Sequence, residues 1–140
     1  MKLLLLTALL AAGLSSHAQL TVGYYQSSLP FVGIGYGLLD GRLLPEARID
    51  MDNFVEDSAV EVVGTYAFFK REDYEAYAGA GLRFGTLQSI PILLGVRAYP
   101  FVKRRVGVHL EAANLFLTDE VGDGLILRGS LGVHVRFGKD

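Results

Sequence analysis

Ten charged side chains and two imidazoles carry whatever chemistry this sequence holds. Glu46, Asp50, Glu61, Glu75 and Glu111 supply carboxylates; Arg48, Arg83, Arg97, Arg128 and Arg136 supply guanidiniums; His109 and His134 supply the imidazoles. Each lies where apolar and other residues alternate, on the side that is not apolar. Period-2 alternation marks strands, so the twelve share one face of a sheet. Five carboxylates against five guanidiniums is a balanced set. Unpaired buried charges cost several kcal/mol each, so the set reads as a mutually paired network filling a narrow interior. An ion path is the functional alternative. His109 and Glu111 lie two apart on one strand face, and His134 and Ser130 follow in the last strand. Acyl transfer needs a nucleophile within reach of the base, and nothing in the sequence places Ser130 there. Two imidazoles and a carboxylate also suit a metal in type. The paired interior is the preferred reading, with no catalytic residue, cofactor or metal expected.

The elements that position these groups belong to one domain. The chain has 140 residues, of which 51% are hydrophobic and 20% charged, too apolar for disorder. A formal charge of −2 argues against nucleic acid as a partner. The absence of cysteine removes disulfides, thiolate metal sites and catalytic thiols.

Residues 1–18 read as a cleaved signal peptide. Lys2 is a positive start, and Leu3 to Leu14 is an apolar run of 12 residues. A spanning helix needs ~20. Ser16 and Ala18 then place small residues at −3 and −1 of a cleavage site before Gln19. The mature domain, 19–140, has 122 residues and a formal charge of −3. An exported chain without cysteine suits a bacterial envelope.

The mature chain divides into eight strand candidates: Leu20–Ser28, Phe31–Leu39, Arg42–Met51, Ala59–Phe69, Tyr74–Phe84, Ser89–Pro100, Arg105–Phe116 and Ile126–Phe137. Asp40-Gly41 is a hairpin signal. In the last strand Leu127, Gly129, Leu131, Val133, Val135 and Phe137 oppose Arg128, Ser130, Gly132, His134 and Arg136. In the fourth, Val60, Val62, Gly64, Tyr66 and Phe68 oppose Glu61, Val63, Thr65, Ala67 and Phe69. Pro45 is a misfit inside the third strand, because it removes a ladder donor. A bulge or a late strand entry is expected there.

Two architectures fit. A soluble lipocalin-like barrel buries the apolar face; a membrane barrel turns that face to lipid. Glycine favours the second. Gly23, Gly33, Gly35, Gly37, Gly79, Gly81, Gly95, Gly107 and Gly132 all fall on the polar face. On a wet outer face they only weaken strands; inside a small barrel they make way for long charged neighbours. Loop parity agrees. With Gln19 in the periplasm, the turns at Asp40-Gly41, Arg71–Asp73 and Lys103-Arg104 are periplasmic, and the long loops at 50–58 and 118–124 are external. Those loops are acidic, with Asp52, Glu56, Asp57, Asp119, Glu120 and Asp123. They read as solvated loops; divalent-cation bridging to lipopolysaccharide is the sharper alternative. Tyr36, Phe68, Tyr74 and Phe137 form one aromatic girdle, and Tyr24 and Phe84 seed the other.

On these residues the chain resembles the small eight-stranded outer-membrane barrels of Gram-negative bacteria, the OmpA/OmpX-type family. Ser130, Gly132, Val135 and Phe137 also resemble the C-terminal assembly signal of that class, although this chain continues to Asp140. The resemblance implies an all-β, eight-stranded, antiparallel, up-and-down transmembrane barrel in the outer membrane. It implies outer-membrane lipid, lipopolysaccharide and the barrel-assembly machinery as partners, beside any extracellular partner. The expected role is a structural or surface-interaction platform with a plugged interior. A small porin-like channel and a soluble periplasmic lipocalin-like binder are the alternatives.

The parity argument is testable on whole cells with an impermeant thiol reagent. Asn53→Cys should label and Arg71→Cys should not; the reverse pattern overturns the orientation.

Overall fold

A computed structural model describes residues 19–28, 30–50, 58–85, 87–101, 103–118 and 124–138. Residues 1–18 and the acidic loop segments 51–57 and 119–123 lie outside the described residues. The strands are β1 (Gln19–Gln26), β2 (Phe31–Gly37), β3 (Leu43–Asp50), β4 (Val60–Lys70), β5 (Tyr74–Phe84), β6 (Ser89–Ala98), β7 (Val106–Leu117) and β8 (Leu125–Phe137). Each pairs antiparallel with the next, and β8 pairs with β1, closing an up-and-down barrel. Their limits fall within two residues of those read from the sequence.

Alternation builds the wall. Ile34, Val62, Leu82, Leu94, Leu110 and Leu131 are exposed on the outside, while Arg48, Glu61, Tyr77 and Glu111 are buried inside. Such a barrel is apolar outward and polar inward, the reverse of a soluble one.

The stagger of the strands follows from the register. From His134, successive partners are Gly23, Gly33, Arg48, Glu61, Arg83, Ser89 and Leu117. The Leu117 amide then bonds to the Gly124 carbonyl, so the path returns to the strand run ten residues before its start. A staggered closure of this kind tilts the strands by roughly 35–45°. Residues far apart along the chain therefore face one another across the axis.

Pro45 produces neither a bulge nor a late strand entry. It lies within β3 and pairs with Gly64 of β4. The β2–β3 ladder runs to Gly35 opposite Glu46, stops at Pro45, and resumes at Leu38 opposite Leu43 in the same register. In an antiparallel pair a residue's amide and carbonyl point to one neighbour, so proline interrupts one seam and spares the other. Pro91, buried in β6, repeats the arrangement. It pairs with Leu115 of β7, while the β5–β6 ladder skips from Ala80 opposite Ile92 to Arg83 opposite Ser89.

Phe69 belongs by strict alternation with Ala67 on the inner face, but it is exposed beside Phe68. The register shifts between Ala67 and Phe69, so an extra residue turns the end of β4 outward. Phe69 then meets Tyr74, with ring centroids 5.7 Å apart. Asp40 and Gly41, both with positive φ, sit at the centre of a turn closed by the Arg42 amide on the Leu39 carbonyl. That conformation is the hairpin type favoured by Asp-Gly.

Leu131 stands outward at the middle of β8, so Leu131→Arg places a charge at mid-depth of a lipid-facing wall. Its insertion into vesicles should weaken by ~2–4 kcal/mol. Folding titrations against urea check this; parent-like insertion would show that this face does not meet lipid.

Candidate functional site

The interior is built around Arg48, which β3 holds at the axis with 1% exposure. Its Nε donates to Glu46 Oε1 at 2.6 Å. Its two terminal nitrogens fork onto the Glu111 carboxylate at 2.8 and 2.9 Å. Nη1 also reaches Glu61 at 3.3 Å. Arg128 forks onto the same Glu61 at 2.8 and 2.9 Å. Arg83 joins Glu61 at 3.4 Å to Asp50 at 2.8 Å. A planar guanidinium matches a carboxylate with two parallel bonds, the strongest form of such a pair.

A second cluster lies nearer the end of the barrel that carries Gln19 and Phe137, here the terminal end. Glu75 accepts from Arg97 at 3.0 Å, from Arg136 at 3.2 Å and from the Tyr99 hydroxyl at 3.3 Å. Arg97 also donates to Thr65 Oγ1 at 3.1 Å. Tyr77 joins the clusters. Its hydroxyl donates to Glu111 at 2.8 Å, and Arg97 lies 3.7 Å above its ring. The contacts thus run unbroken from Asp50 through Arg83, Glu61, Arg48, Glu111, Tyr77, Arg97 and Glu75 to Arg136.

All ten charged residues singled out from the sequence meet here, and His109 and His134 lie among them. The imidazoles face each other with Nδ1 atoms 3.3 Å apart, one donating and one accepting. His109 therefore turns towards His134, and the Ser130 hydroxyl has no hydrogen-bond partner among the described residues. The base–nucleophile contact that acyl transfer needs is not made. Among the described residues no three His or carboxylate side chains converge as ligands for a metal.

Aromatic rings are the part that residue type alone does not reveal. Arg48 lies over Tyr25 at 4.4 Å, Arg128 over Phe31 at 4.6 Å and Arg136 over Tyr99 at 4.0 Å. Tyr25 stacks on Phe31 at 4.4 Å and donates to Glu46 at 3.0 Å. Strand parity is the signal that finds them. Tyr77 lies two residues from Glu75, and Tyr99 two from Arg97.

The glycines make room, though mainly for rings and one carboxylate rather than for arginines. A methyl group on Gly95 would strike the Tyr77 ring, one on Gly132 the His109 ring, and one on Gly33 the Glu46 carboxylate. Apolar side chains fill the rest. Val63, Leu93 and Ala113 cluster inside, with Leu115 and Phe31 also buried. A void of about 10 Å³ beside His134, Arg97 and Arg136 is close to the least that holds one water.

The outer wall carries the remaining features. Ser130 and Gly132 of the expected assembly signal face inward, and Phe137 faces outward at the strand's end. Phe68, Phe69, Tyr74, Phe101 and Phe137 are exposed at the terminal end; Tyr24, Phe84 and Phe116 are exposed at the other. Tyr74 and Phe84 bound β5, an 11-residue strand. At roughly 3.3 Å per residue and a tilt of about 40°, it rises about 25 Å, the apolar height of an outer-membrane barrel.

No family model and no curated protein matches the sequence. Solved structures resemble it in shape. A product of the de novo design of transmembrane β-barrels superposes with a TM-score of 0.60 at 14% identity, over 86% of this chain and 95% of that one. The N-terminal β-barrel domain of Pseudomonas aeruginosa OprF gives 0.60 at 13% identity, over 86% and 97%. Neisserial surface protein A (NspA) gives 0.56 at 16% identity, over 86% and 95%. At such identities the likeness is one of fold: the chain is a closed, eight-stranded, all-antiparallel barrel of the transmembrane β-barrel kind.

Proposed function

We propose that the protein is an outer-membrane β-barrel with a plugged, charge-paired lumen, acting as a structural or surface-interaction platform. The observation that carries this reading is the chain of contacts from Asp50 to Arg136. Five carboxylates and five guanidiniums occupy the axis in contact with one another and with buried rings. An open channel keeps such groups apart and wet. The outward apolar wall, its aromatic ends and the neighbours' fold support the membrane placement. Surrounding lipid and lipopolysaccharide are then its first partners. Ser130, Gly132, Val135 and Phe137 would address it to the barrel-assembly machinery, and residues 1–18 would export it. The external loops are the place for a further partner.

Planar-bilayer recording tests the plug. The unmutated barrel should show little conductance; large, steady, porin-like steps would replace the platform with a channel.

Stability tests the pairing. Arg48→Ala strands Glu46 and Glu111, and breaking a buried pair typically costs ~3–5 kcal/mol. The urea midpoint, read from the fraction of compact, fast-migrating protein on unboiled gels, should fall clearly. Glu61→Gln, which keeps an acceptor for Arg128, should lower it less. An unchanged midpoint in Arg48→Ala would show that the network does not support the fold.

A further inference from the structure

A cleft of about 490 Å³ opens at the terminal end, between the start of β5 and the turn joining β6 to β7. Asp73, Tyr74, Pro100, Phe101 and Arg104 line it. Its walls are the exposed aromatics of that end: Tyr74 is 46% exposed and Phe101 61%. In a membrane barrel these rings mark the headgroup level. The cleft therefore lies where lipid phosphates lie.

Its lining carries one cation and one carboxylate. Arg104 pairs with Glu72 at 3.1 Å, but their side chains are 47% and 84% exposed. An exposed pair of that kind holds its partners weakly, so Arg104 can turn to a phosphate. Lys103 and Arg105 flank it in the same turn and raise the local phosphate concentration. Asp73 is held in place by its backbone, whose carbonyl accepts the Tyr99 amide at 2.6 Å. Asp73 lines the cleft with the aromatic rings, and a carboxylate beside such rings receives an ammonium group.

We propose that this cleft binds one phospholipid with a zwitterionic phosphate–ammonium headgroup. Arg104 takes the phosphate, and Asp73 with the Tyr74 ring takes the ammonium. The acyl chains continue along the outer wall. The proposal rests on the membrane reading above and names one lipid site within it. Charge selects the occupant. A headgroup with phosphate alone leaves Asp73 facing it as a like charge, and free phosphate gains nothing from the rings.

Native mass spectrometry of the full chain released from detergent tests it, with phosphatidylethanolamine, phosphatidylglycerol and inorganic phosphate as separate probes. The parent should retain one phosphatidylethanolamine about threefold better than phosphatidylglycerol, the scale of one partly exposed charge contact. Asp73→Asn should abolish that preference while keeping both lipids. Arg104→Gln should reduce both by about fivefold, the effect of one cation at a membrane surface. Arg42→Gln, in the β2–β3 turn, serves as the control and should change neither. Equal retention of the two lipids by the parent overturns the proposal, as does a preference that survives Asp73→Asn. Displacement of lipid by millimolar phosphate also overturns it in favour of a soluble-anion site. Heat-modifiable migration of the same samples is the separate check on the membrane barrel. Its loss in the parent condemns the membrane reading itself, whereas its presence with no lipid preference condemns only the cleft.

Discussion

The guanidinium of Arg48 has to be neutralised away from water, and the rest of the interior is arranged around that requirement. Its partners come from β3, β4 and β7, with a β1 tyrosine beneath it. No single pair of adjacent strands supplies them all. They meet because the stagger of the barrel brings distant positions to one level, and because Gly33 leaves Glu46 free to approach. Burying ions is unfavourable until each is paired and its remaining hydrogen-bonding positions are filled. The tyrosine hydroxyls fill some of them, and the rings beneath the guanidiniums replace part of the lost hydration.

The interior is neutral in sum but not in each part. The cluster around Arg48 holds Glu46, Asp50, Glu61 and Glu111 against Arg48, Arg83 and Arg128, one carboxylate in excess. The cluster around Glu75 holds Arg97 and Arg136, one cation in excess. Tyr77 spans the two, so each cluster answers the imbalance of the other through one ring and one hydroxyl. The exposed Leu, Ile and Val of the wall contribute nothing to this balance; they require only a medium in which apolar surface is at rest.

Most of this architecture was legible because a strand has a period of two and nothing shorter. Once Glu75 faces inward, so do Tyr77 and Arg83, whatever the fold beyond. What the chain does not display is how strands align with one another. Arg48 and Glu111 lie on strands that never pair, and no local pattern announces their contact. Phe69 escapes the alternation for a related reason. Phe68 and Phe69 are equally apolar, so hydropathy does not register the residue that the bulge inserts. Pro45 and Pro91 act alike, because a proline disturbs only the neighbour its nitrogen faces. The rings around the arginines were hidden by residue type. Tyrosine reads as a girdle residue, and only its parity places it inside.

The two prolines have a mechanical consequence. Hoop strength in a closed sheet comes from the ladder between each pair of strands, and here two seams lack rungs, β2–β3 at Pro45 and β5–β6 at Pro91. They divide the wall into a stave of three strands, β3 to β5, and a stave of five, β6 through β8 to β2. Arg48 and Glu111, Arg128 and Glu61, and Arg136 and Glu75 each bridge from one stave to the other. The ionic interior thus works as a set of tie-rods across the two seams that the prolines interrupt.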